Sequence, residues 1–87
     1  MRKKPADQQV PFLMDLLEHN VKAIAEHEED VKINCSVTPA RVVFTVYVNH
    51  DDVGLVLGER GTTMDAIRRL VWTACKKTDK RVDIDLV

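Results

Sequence analysis

The spacing of apolar residues changes period several times along the chain. Between Pro11 and His27, the residues Phe12, Leu13, Leu16, Leu17, Val21 and Ile24 recur at three- and four-residue steps. That spacing predicts a helix over 11–27 with one apolar face, and Pro11 suits its first turn. Residues 31–38, Val-Lys-Ile-Asn-Cys-Ser-Val-Thr, alternate apolar with polar, the pattern of a strand with one buried face. Thr38-Pro39-Ala40-Arg41 reads as a turn. Residues 41–49 are rich in β-branched and aromatic residues and largely apolar on both faces, which suits a central strand, with Val43 and Tyr47 on the face opposite Phe44 and Val46. Asp51 or Asp52 can cap a short helix running to about Leu57. Beyond a glycine-bearing segment, Thr62 or Thr63 can cap a longer helix to about Lys77, with Met64, Ile67, Leu70, Val71 and Ala74 as its stripe. Trp72 falls on the flank of that stripe, the place of a partly buried side chain. Residues 81–87 alternate again and close the chain as a strand.

The element order is therefore α-β-β-α-α-β. The first two strands make a hairpin. The last strand returns through a helical crossover and can lie parallel to one of them. The expected result is an α+β domain, a three-stranded mixed sheet with three helices on one face. A chain of 87 residues suits one domain, placed at 10–87, behind a polar tail over 1–9. No stretch approaches the roughly 20 apolar residues of a membrane helix, so no membrane partner is expected. The basic start Met1-Arg2-Lys3-Lys4-Pro5 lacks the apolar run of a signal peptide.

Cys35 and Cys75 belong to no CxxC or Cys/His cluster, and His19, His27 and His50 lack metal spacing. Buried free thiols, no metal, no cofactor and a cytoplasmic location are the expectations. No nucleophile–base pair or phosphate-binding lysine motif is visible, so an enzyme is not expected.

Charge is unevenly distributed. The net charge is −1, but residues 7–30 carry seven acids against Lys22, a net −6. Residues 58–81 carry seven bases against Glu59, Asp65 and Asp79, a net +4. The second region is the one able to meet phosphate.

That region begins with Gly58-Glu59-Arg60-Gly61, set between two helical patterns. Helices joined by so few residues must turn sharply, and glycines at both corners permit backbone angles closed to other residues. The first N–H groups of the following helix have no partner within it, and the helix dipole is positive there. Phosphate is the natural ligand of such a site.

With two aliphatics before the loop (Val56-Leu57) and Met64 and Ile67 three and six positions beyond it, the segment resembles the GxxG signature of a KH domain. The element order is similar to the type II arrangement. The approach Asp51-Asp52-Val53-Gly54 and the ending Lys80-Arg81-Val82-Asp83-Ile84 resemble the small stand-alone KhpA/YlqC family, over roughly residues 10–87.

The resemblance implies binding of about four single-stranded RNA nucleotides, as an RNA chaperone or post-transcriptional regulator, with the loop clamping their backbone. Gly58, Glu59, Arg60 and Gly61 would form the clamp and Thr62 would follow it at the helix start. Gly54, Leu57 and Met64 would line an apolar groove, and Arg68 would reach a phosphate. Gly54 and Leu57 are three apart and so share a helix face on spacing alone. The resemblance also implies dimerisation, with a second copy or another KH protein. One departure stands out: the variable pair of the loop, often basic, is Glu59-Arg60, neutral overall. Weak, salt-sensitive binding is expected. Two further readings remain open on the residues: an assembly module with little nucleic-acid affinity, in which Trp72 makes a protein contact, and a helix-turn-helix DNA binder over 52–76, whose second helix is poor in positive charge near its start.

Overall fold

A computed structural model describes residues 6–75 and 79–87, with side chains from Gln8 onward. The elements are α1 (Ala6–Ile24), β1 (Lys32–Val37), β2 (Arg41–Tyr47), α2 (Val53–Leu57), α3 (Thr62–Ala74) and β3 (Arg81–Leu86), with short 3₁₀ turns over Glu28–Asp30, His50–Asp52 and Glu59–Gly61. This is the expected α-β-β-α-α-β order. The sheet order is β1-β2-β3, with β1 antiparallel and β3 parallel to β2, so β2 is central as its two apolar faces predict.

The register fixes which side chains go inside. Val42 lies opposite Val82, and Phe44 opposite Ile84. These four and Val46 are buried. They meet Leu13, Leu17 and Val21 of α1, Val56 of α2, and Met64, Ile67 and Val71 of α3 in one core. All three helices thus cover one face. The alternate residues Arg41, Val43, Thr45 and Tyr47 point to the open face, where none is fully buried. The Thr38–Arg41 turn closes the hairpin: Thr38 N–H donates to the Arg41 carbonyl at 2.8 Å, and Arg41 N–H to Thr38 Oγ1 at 3.0 Å.

Several expectations change. α1 starts at Ala6, so residues 6–9 are helical rather than tail, and the rest of that segment lies outside the described residues. Pro11 sits inside the helix, where it removes one backbone hydrogen bond. Val10, just before it, packs against the core, a contact that local pattern does not reveal. Phe12 and Leu70, placed on apolar stripes by spacing, are exposed. Leu13, Leu17 and Val21 define a narrower seam on α1, and Met64, Ile67 and Val71 define the one on α3. Cys75 is buried but Cys35, on edge strand β1, is only half-buried; both are free thiols. The expected extension of α3 to Lys77 lies outside the described residues.

Asp52 does not cap α2 with its side chain. The carboxylate is 2% exposed and turns back to the loop after α1. There Oδ2 accepts the His27 N–H at 2.9 Å and lies 3.1 Å from His27 Nδ1. Three residues earlier, Asn49 Nδ2 donates to Asp30 Oδ2 at 2.8 Å, and Asn49 Oδ1 accepts the Asp51 N–H, capping the 3₁₀ turn. Two side chains thus bind the end of α1 to the approach into α2.

The hydrogen bond to Asp52, helped by its charge, raises the His27 pKa despite some desolvation. Desolvation alone would raise the Asp52 pKa, but hydrogen bonds from His27 and from the Glu26 backbone outweigh it and hold the carboxyl below its ordinary value. The His27 contribution to stability is therefore complete below its ordinary pKa of 6.5 and is lost as pH rises through the raised value. The Asp52 contribution is present above 3.8 and is lost as pH falls through the depressed value. We expect Asp52→Asn to lower the urea midpoint most between these limits. The gap to wild type should narrow as pH is raised through the His27 titration. A gap constant with pH would show that the imidazole contributes nothing.

Candidate nucleic-acid interface

The loop between α2 and α3 is built from three residues in left-handed backbone. Gly58 ends α2 at φ 79°, with its N–H on the Gly54 carbonyl at 2.9 Å. Arg60 follows at φ 58° and ψ 27°, and Gly61 at φ 75° and ψ 13°. Gly61 N–H donates to the Gly58 carbonyl at 3.1 Å, which closes the turn. Arg60 is the one non-glycine residue with positive φ among those described. Such a conformation costs of order 1 kcal/mol or more for a side chain of this kind.

The two glycines are required for different reasons. A Cβ at Gly58 would collide with Thr63, lying 2.6 Å from its backbone nitrogen. At Gly61 a Cβ would meet open space, and only the backbone angle calls for glycine. Gly54 has neither constraint: it lies in regular helix and nothing stands within 4 Å of its Cβ position. It leaves the α2 backbone open on the face it shares with Leu57, which is 42% exposed.

α3 has Gly61 at its N-cap and no side-chain cap. The threonine caps expected at Thr62 or Thr63 are not made. Thr62 Oγ1 donates backward to the Glu59 carbonyl at 2.7 Å, tying the loop to the helix instead of capping it. The first N–H groups of α3 thus keep no side-chain acceptor, at the positive end of a 13-residue helix. Glu59 and Arg60 are both exposed, and among the described residues neither side chain has a hydrogen bond or ion pair.

The expected site residues therefore separate into three groups. Gly54, Leu57, Gly58, Glu59, Arg60, Gly61 and Thr62 come together on one surface at the α2–α3 corner. Met64 does not join them: it is fully buried, because its position three residues past Gly61 turns it into the core beside Val56 and Ile67. It packs beneath the corner and is not exposed to line a surface there. Arg68 is turned toward β3. Its Nε donates to the Ile84 carbonyl at 3.2 Å and its Nη1 pairs with Asp65 at 3.2 Å. Reaching a phosphate at the loop would require breaking both contacts.

Sequence reasoning missed Leu55, 45% exposed next to the buried Val56. In so short a helix, one buried residue forces its immediate neighbour outward, and that signal was available. No group of three or more potential metal-ligating residues occurs among the described residues. No described helix is long and apolar enough to cross a membrane.

Comparison with known proteins identifies the family. The family model described as "KhpA/KhpB, KH domain" matches residues 14–86. A curated relative named "RNA-binding protein KhpA" from Leifsonia xyli is 38% identical over 73 residues, 84% of this chain and 96% of the relative. Proteins of the same name from Borreliella burgdorferi and Bacillus subtilis are 31% and 30% identical over 74 residues, each covering 85% of this chain and at least 90% of the relative.

The glycines give a graded expectation. Gly58→Ala should lower stability by clearly more than about 1 kcal/mol, since collision adds to backbone strain. Gly61→Ala should cost about 1 kcal/mol. Gly54→Ala should be neutral or stabilise by up to about 1 kcal/mol through helix propensity. Urea denaturation of the three variants checks the order.

Proposed function

The chain belongs to the KhpA/KhpB KH-domain family, and on that footing we propose that it binds single-stranded RNA at the Gly58–Gly61 corner as an RNA chaperone or post-transcriptional regulator. The observation that carries the reading is the uncapped start of α3 behind a left-handed, glycine-flanked turn. The turn brings backbone close to a ligand, and the N–H groups behind it suit one phosphate. Leu57 and the bare backbone at Gly54 offer an apolar strip for the bases beside it. The relatives' printed name supports RNA as the ligand class.

The Glu59–Arg60 pair sets the strength. Arg60 supplies one cation, and Glu59 subtracts from the local potential. Few phosphates are neutralised, so affinity is weak and depends moderately on salt. For single strands the logarithmic salt slope is about −0.7 per phosphate, which places this protein near −1 to −2.

Fluorescence anisotropy with short single-stranded RNA pools at low salt tests the reading. We expect measurable binding that weakens with salt, stronger binding by Glu59→Lys, and a slope steeper by about 0.7 in that variant. No binding by the wild type would overturn the proposal, as would equal binding after Glu59 and Arg60 are both changed to Asp.

A second reading is favoured by Leu55 and Leu57, two exposed leucines on one short helix beside the loop. They suit a protein contact, such as pairing with a second copy or another KH domain. Sedimentation of the wild type and of Leu55→Ser separates this from monomeric RNA binding.

A further inference from the structure

The side of α3 that faces β3 carries a second constellation, separate from the glycine corner. Trp72 Nε1–H donates to the Val82 carbonyl at 3.0 Å, one helical turn beyond the Arg68 contact with Ile84. Val82 and Ile84 are alternate residues of β3. Arg81 and Val87 donate their N–H groups toward β2, to Ala40 and Val46, so the even-numbered carbonyls point to the free edge of the sheet. Arg68 and Trp72 cover that edge. The bond also fixes the indole by its only polar atom. Trp72 is nevertheless 51% exposed, so what it presents to solvent is ring carbon.

Around this ring the groove carries three arginines against two aspartates and is poor in apolar lining. Arg41 and Arg81 reach into it from β2 and β3, and both hold Asp83, at 3.2 and 3.0 Å. Two guanidinium groups share one carboxylate, which leaves several of their N–H donors unused. A protein hot spot built on Trp requires a rim that excludes water. Here the apolar neighbours are Val43 and Ile84 alone, and the rim is charged. An aromatic face flanked by arginines suits a nucleobase with its phosphate.

The position is continuous with the glycine corner. Gly61, Asp65, Arg68 and Trp72 follow one another at steps of four, three and four, so they form a single ridge along α3. From the start of α3 to Trp72 the helix rises about 15 Å.

We propose that Trp72, Arg41 and Arg81 form a second single-stranded RNA subsite. One base stacks on the indole and the arginines hold its phosphate, for the stretch of strand that leaves the glycine loop along α3. This inference rests on the RNA-binding reading of the loop. Asp83 positions both arginines. With Asp85 it limits the local charge.

Trp72 is the only tryptophan of the chain, and its fluorescence reports this site alone. The test titrates the full chain with a four-nucleotide and a ten-nucleotide single-stranded RNA at low salt. Intrinsic fluorescence and the anisotropy of labelled RNA are followed together. The ten-mer should bind about 5- to 100-fold tighter than the four-mer and quench Trp72. The four-mer should bind with little quenching. The double variant Arg41→Ser/Arg81→Ser should lose most of the length advantage while retaining four-mer affinity. Trp72→Ala should do the same by anisotropy, with circular dichroism confirming that both variants fold.

Equal affinity for both lengths without quenching would overturn the subsite and leave the loop reading standing. No binding of either RNA by the wild type would overturn both. A Trp72→Ala variant that changes the sedimenting species but not RNA affinity would show a protein interface and overturn the subsite.

Discussion

Asp52 puts a carboxylate into a place that excludes water and supplies it with donors from one short segment. His27 gives its backbone N–H and its ring, and the Glu26 backbone contributes as well. A buried charge is tolerated only when its partners are complete, and removing one leaves the other uncompensated. The consequence is geometric. The end of α1 and the start of α2 are held at one point, with the Asn49–Asp30 bond as a second tie nearby. α2 has only five residues and contributes one buried side chain, Val56, so its own packing cannot fix its direction. The glycine corner at its far end is aimed by the anchor at its near end.

From that anchor the chain has five residues before it must reverse into α3. The reversal stores strain in the backbone of Arg60 and spends two glycines on positive φ. The core offsets this through Met64, Ile67 and Val71, which seat α3 firmly just beyond the corner. A residue that looks functional from its position after the loop, Met64, thus serves the loop by locking the helix behind it. Strain at an exposed corner and close packing immediately behind it are complementary parts of one device.

The far side of α3 meets a different requirement. β3 is an edge strand, and an uncovered edge invites pairing with other chains. Arg68 and Trp72 satisfy two of its outward carbonyls. That use explains why Arg68 is unavailable to the loop, and why a half-exposed tryptophan is held rigidly at the surface. Trp72 both protects the edge and gives the arginine-lined groove its aromatic face.

Much of this was readable in the chain itself. Alternation and helical spacing are local properties of backbone geometry, and they determined the element order and pointed to the central place of β2, while the pairing of β3 with β2 came from the fold. The glycine pair at 58 and 61, with aliphatics on both sides, likewise marked the corner, since few residues tolerate such a turn. What spacing could not reach depends on contacts distant in sequence. The carboxylate of Asp52 faces His27, 25 residues earlier, where a cap was expected. Arg68 and Trp72 find carbonyls 16 and 10 residues ahead. Arg41 and Arg81 share Asp83 only because β2 and β3 lie side by side. The sequence by itself determined the elements and the corner. Only the tertiary structure decided which polar side chains are used inside the fold and which remain for a ligand, because each such choice is settled by whichever donor or acceptor the packing brings within about 3 Å.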